Sequence, residues 1–214
     1  MNTWLESILV LLILSNLVLA GSSRVWKCIR ILAVQGILLG LLILITHAGH
    51  LSPHILLLAA GNVLVKAVLF PWLLVRAVQK ADVNQAIPAS ISYGWSLLLA
   101  TMLLPLSLWL GARLPLPDPV SSPLIVPVAL YTIFVGLFLF ASRKKAITQV
   151  LSYLVLENGI TLFGLALIVE VPFLIELGIL LDLLGAVFVM GLALSSINQS
   201  FDTIDSSKLS TLKE

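Results

Sequence analysis

Lys66, Glu157 and Asp182 each stand near the middle of a long apolar run. If those runs cross a bilayer, Glu157 and Asp182 sit roughly 12–14 Å from opposite faces, at ~1.5 Å rise per residue, and Lys66 falls at a similar depth. A charge at the bilayer centre costs about 2.5–3.5 kcal/mol even on lenient insertion scales. Three such groups facing lipid would be hard to sustain, so they should face the bundle interior, another subunit or water. Two readings follow. In one, the charges are structural ion pairs that brace the bundle. In the other, they form a proton or ion relay, work suited to buried carboxylates and lysines because burial disfavours their charged forms and eases exchange of a proton. Lys66 can pair with either acid. Thr161 lies one turn after Glu157, and Asn62 one turn before Lys66. Pro71 has no N–H for the carbonyl of Ala67, so a kink is expected beside Lys66.

Other polar groups carry less. Glu170 and Glu176 fall near the outer surface, where interfacial solvation accounts for them; Glu176 is kept as an accessory candidate. His47, His50 and His54 are spaced like ligands, but Gly49 and Pro53 interrupt a helix there and no fourth ligand is near, so no metal is assigned. Cys28 is the only cysteine, which excludes an internal disulfide and an iron–sulfur cluster ligated by this chain alone. There is no glycine-rich phosphate loop and no Ser/His/Asp arrangement, so no catalytic residue and no cofactor is assigned to this chain. A net charge of +2 gives no reason to expect nucleic acid.

The elements that must hold these residues are membrane helices. Of 214 residues, 60% are hydrophobic and 10% charged, where soluble domains carry about 25% charged. Seven apolar runs are expected to span: 5–20, 28–45, 55–78, 89–111, 124–141, 148–169 and 174–197. The first resembles a signal peptide in length, but Glu6 stands where a basic segment should be and Arg24, Lys27 and Arg30 come after it, so an uncleaved helix is expected. With seven spans, Arg24, Lys27, Arg30, Arg76, Lys80, Arg143, Lys144, Lys145, Lys208 and Lys213 share one side. Arg113 stands alone on the other. That asymmetry predicts an amino terminus outside and a carboxyl terminus in the cytoplasm. Arg143-Lys144-Lys145 then anchors the topology. The proline-rich linker Arg113–Pro119 separates a four-helix part, 1–123, from a three-helix part, 124–197, followed by a tail, 198–214. Gly36 and Gly40 mark a close helix approach.

Residues 143–169, RKKAITQVLSYLVLENGITLFGLALIV, and 174–194, LIELGILLDLLGAVFVMGLAL, join a basic loop to two helices with a central acid each. With KAVLFPWLLVRAV at 66–78, they resemble component E (HyfE) of the hydrogenase-4 and formate hydrogenlyase type of complex. The last three helices are also similar to NuoK, the small three-helix subunit of respiratory complex I, with Glu157 and Asp182 at its two acidic positions. Aspartate at 182 is one methylene shorter than NuoK's glutamate. The resemblance implies a non-catalytic membrane-arm subunit of an oxidoreductase complex in the inner (cytoplasmic) membrane. It would contribute Lys66, Glu157 and Asp182 to a proton path. The nickel–iron site and iron–sulfur clusters would lie in partner subunits. The alternatives are a scaffold subunit of the same complex, and a small cation/proton antiporter subunit.

Overall fold

The structure is a computed structural model that describes residues 2–48, 53–80, 92–114, 122–143 and 145–167, with Gly185 and Gly191. In lipid, backbone N–H and C=O groups find no water, so apolar runs of this length close their hydrogen bonds internally as helices. Among the described residues six result: α1 (Asn2–Gly21), α2 (Val25–Thr46), α3, α4 (Tyr93–Gly111), α5 (Ile125–Ser142) and α6 (Ala146–Leu167). Helix α3 is continuous but not uniform: α-helical over Pro53–Val63, π-helical over Leu64–Leu69, and α-helical again over Phe70–Lys80. All six are long and apolar enough to cross a membrane, and no strand occurs among the described residues. The protein is thus an all-α, polytopic membrane protein. The expected seventh span apart from Gly185 and Gly191, the tail, most of the proline-rich linker, and Glu170, Glu176 and Asp182 lie outside the described residues.

Prolines at helix starts are accommodated because the first N–H groups of a helix have no intrahelical acceptor. Pro53 opens α3 and Pro127 lies in the first turn of α5. Pro105 and Pro71 stand inside helices instead.

The core is layered along the bundle. One apolar layer joins Leu5, Leu9 and Leu12 of α1 to Leu39 and Leu42 of α2, Ile125 and Val126 of α5, and Leu162 and Ala166 of α6. A second layer joins Leu19 and Ala20 of α1 to Val25 and Ile29 of α2, Leu74 and Val78 of α3, Leu139 of α5, and Ile147 and Val150 of α6. That second layer gathers the α1–α2 junction, the end of α3 and the α5–α6 junction at one end of the bundle. Arg143, stacked 5.5 Å over the Tyr93 ring, adds the start of α4. The segments carrying Arg24, Lys27, Arg76, Arg143 and Lys145 therefore converge, while Arg113 is at the opposite end of α4. Exposed tryptophans stand toward helix ends, and two are paired with cations: Arg76 over Trp72 at 5.4 Å and Arg113 over Trp109 at 4.5 Å. Such pairs suit the headgroup level of a bilayer.

Burial separates centre from periphery. The most apolar stretches of α5 and α6 are 61% and 56% buried, those of α3 and α4 only 17% and 22%. Two glycines set the α5–α6 contact. A Cβ on Gly136 would meet Leu156 N at 2.6 Å, and one on Gly159 would meet Ile133 N at 2.7 Å, so any side chain at either position pushes the helices apart.

Candidate functional site

Between the two apolar layers lies a polar layer. Its charged part is assembled from α3 and α6. Lys66 is buried, at 4% exposure, although it belongs to a peripheral helix. Gly36 of α2 permits this: a Cβ there would stand 2.9 Å from the carbonyl carbon of Lys66, so the α3 backbone sits where a side chain would be. Gly40 likewise faces Val63, which gives the glycine pair a specific partner helix. Asn62 Nδ2 donates to the Gly36 carbonyl at 3.3 Å, tying α3 to α2 one turn from Lys66.

The expected kink at Pro71 takes another form. The Phe70 N–H bonds to the Val65 carbonyl, five residues back rather than four. Pro71 offers no N–H to hold the α register, and the helix widens into a π segment with Lys66 inside it.

Lys66 Nζ stands 3.2 Å from Glu157 Oε1, with both side chains almost wholly buried. It also donates to Thr161 Oγ1 at 2.7 Å, and Thr161 donates its own proton to the Glu157 carbonyl at 2.9 Å. Of the sequence candidates, Lys66, Glu157 and Thr161 are therefore brought together, and Asn62 is placed nearby. A cavity of ≈ 10 Å³ adjoins the pair, lined by Lys66, Glu157, Asn158 and Pro71 among leucines and Phe70. It has room for about one water molecule. Gly185 reaches the same place: a Cβ on it would lie 3.2 Å from Glu157 Oε2. His47 is bonded within its own helix, to the Ile43 carbonyl at 3.0 Å, and His50 lies outside the described residues.

The neutral part of the layer was not expected. Asn16 of α1 donates to Thr132 of α5 at 2.8 Å. Gln35 of α2 donates to Asn16 Oδ1 at 2.9 Å and to Ser15 Oγ at 2.7 Å. Asn158 of α6 donates to Gln35 Oε1 at 3.1 Å. Asn16, Gln35, Thr132 and Asn158 are all buried. A signal for them exists in the sequence: Asn16 and Gln35 are the only carboxamides in the first and second apolar runs.

Chemically, the arrangement offers a carboxylate and an ammonium held together away from bulk water, a hydroxyl linking the ammonium to the Glu157 backbone carbonyl, and a small void beside them. It can hold or pass a proton. It presents no nucleophile with a base and no assembled ligand set for a metal among the described residues.

Comparison with known proteins finds relatives that match over most of the chain. An uncharacterized protein, Rv0085 of Mycobacterium tuberculosis, is 30% identical over 215 aligned residues, covering 97% of each chain. Hydrogenase-4 component E of Escherichia coli K12 is 28% identical over 164 residues, covering 76% of this chain and 75% of that one. No family profile matches the chain, and no solved structure matches it.

Proposed function

We propose that this chain, which belongs to the same family as Rv0085 of Mycobacterium tuberculosis, is a membrane-arm subunit of a hydrogenase-type complex and carries part of its proton path. The likeness to hydrogenase-4 component E supports the assignment to such a complex. The observation that carries the proton role is the buried Lys66–Glu157 pair at 3.2 Å beside a water-sized cavity. Desolvating two charges is costly, and an apolar pair of similar volume would often be as stable or more so. Charges kept at such a cost within a membrane point to function.

In this reading Glu157 exchanges a proton and Lys66 responds to the change of charge, with Thr161 holding the ammonium. Asp182 is the next group on the path. It precedes Gly185 by three positions in the sequence, and Gly185 lies against Glu157. Residues 124–197 then act as the NuoK-like portion. The amino terminus faces outward and the carboxyl terminus the cytoplasm, in the inner membrane. Nickel–iron and iron–sulfur redox centres belong to partner subunits, and this chain is not itself the catalyst.

The test compares Glu157→Gln with Lys66→Met/Glu157→Gln in the native host. Intact complex and hydrogen- or formate-linked turnover are measured on the same membranes. Recovered complex with lost or uncoupled turnover in the double variant supports the proton path. Full turnover in both variants excludes it.

A scaffold role is the second reading, favoured by one observation: the pair ties the peripheral α3 to the central α6. It predicts that complex is lost in the single variant and that complex and turnover return together in the double one.

A further inference from the structure

The amide chain beside the charged pair has a direction, set by two hydroxyls: Thr132 at its far end, and Ser15, which donates to the Leu12 carbonyl at 2.7 Å and so accepts from Gln35 Nε2. Thr132 donates its hydroxyl proton to the Val128 carbonyl at 2.8 Å. Its oxygen is then left only as an acceptor, so Asn16 must turn its Nδ2 toward it. That places Asn16 Oδ1 toward Gln35, which must donate through Nε2. Gln35 Oε1 in turn faces Asn158, which must donate through Nδ2. Each carboxamide has one orientation compatible with its neighbour. The last one, Asn158, lines the cavity that holds Lys66 and Glu157; with one N–H given to Gln35, it keeps its carbonyl oxygen and a second N–H.

We infer that Thr132, Asn16 and Gln35 are positioning residues that orient Asn158 so that its carboxamide oxygen, an acceptor, faces the Lys66–Glu157 cavity. This rests on the reading of that pair as a proton site. An acceptor at this point favours a cation or a donating water beside Glu157 and disfavours a second anion. Hydrogen-bonded groups in a row polarise one another, so the orientation set on α5 is felt on α6 across α1 and α2. Flipping one carboxamide would face oxygen with oxygen at the next junction, which holds the row in one sense.

The experiment uses the full chain in its complex, reconstituted in lipid, with infrared difference spectra between acid and neutral buffers. The Glu157 carboxyl band is identified by its loss in Glu157→Gln. Thr132→Val removes the acceptor at the far end of the chain. The expected result is a displaced Glu157 band and severalfold lower turnover, with the amount of complex kept. Thr132→Ser restores the acceptor and should restore both. Ser152→Ala removes a buried hydrogen bond of α6, to the Thr148 carbonyl, outside the row, and should leave the band in place.

Should Thr132→Val reduce the amount of complex, Asn158→Leu tests the near end, and an undisplaced band there overturns the inference. So does an unmoved band in Thr132→Val, or an equal displacement in Ser152→Ala. These outcomes are separable from failure of the proton role itself, which is read from turnover in the Glu157 variants and not from the band in Thr132→Val.

Discussion

The polar layer has two halves that use their hydrogen-bonding capacity differently. In the neutral half, Thr132, Asn16, Gln35 and Asn158 are joined donor to acceptor across four helices. In the charged half, Lys66 and Glu157 meet beside a void, on a helix whose backbone has left the α register. The neutral half is buried and its side chains are hydrogen-bonded to one another. The charged half has space beside it and a locally adjustable backbone. A group whose charge must change gains from neighbours whose dipoles do not move, because they need no reorganisation when it does. The two halves therefore divide the work between holding and responding.

The largest expected effect breaks the charged half. Glu157→Gln leaves the Lys66 ammonium buried without its counter-charge, a loss of about 3–5 kcal/mol for a buried pair. Replacing both partners, Lys66→Met/Glu157→Leu, should recover most of that stability without recovering coupled turnover. Thermal unfolding of the purified complex, read beside turnover, checks both statements. Next comes Gly36→Ala. Its Cβ would stand 2.9 Å from the Lys66 backbone, so α2 and α3 must separate, at about 1–3 kcal/mol for overpacking. Lower melting and lower turnover should appear together.

Pro71→Ala sharpens the comparison differently. It returns an N–H to α3 and removes a reason for the π segment, so stability should hold or rise while turnover falls as Lys66 turns from Glu157. Unchanged turnover would mean that the π segment does not place Lys66. Smallest is Ser15→Ala in the neutral half. It removes one of the two acceptors of Gln35 Nε2, worth about 0.6 kcal/mol for a hydrogen bond within a membrane bundle. Turnover should fall less than in Thr132→Val, because Asn16 Oδ1 still accepts from Gln35 Nε2.

The charged half was legible in the sequence and the neutral half was not, for a physical reason. A lysine or carboxylate in an apolar run costs enough to demand an explanation, so Lys66 and Glu157 stand out. A carboxamide costs far less and often serves only packing, so Asn16 and Gln35 pass as ordinary residues. The choice of Glu157 as partner for Lys66 was not legible, because nothing along the chain says which helices touch. Gly36 and Gly40 marked a close approach but not its partner, α3. Pro71 announced a disturbed backbone, yet a kink and a π segment answer the same missing N–H equally well from sequence. The six described spans match the apolar runs closely, since lipid leaves a backbone so few alternatives. The start of α4 at Tyr93 is later than the expected 89, within a stretch where Pro88 and Ser90 also favour a boundary.

The π segment of α3 also bears on how this chain tolerates changes of length. An α-helix turns about 100° per residue, so deleting a residue from any regular span rotates one half of it against the other and carries its buried face out to lipid. A π segment already holds a surplus residue. Removing one position within Leu64–Leu69 lets the turn contract to the α form while Pro53–Val63 and Phe70–Lys80 keep their present faces. In the genetics of this chain, the stretch beside Lys66 is thus where a one-codon deletion can leave the membrane fold standing and remove only the placement of its buried cation.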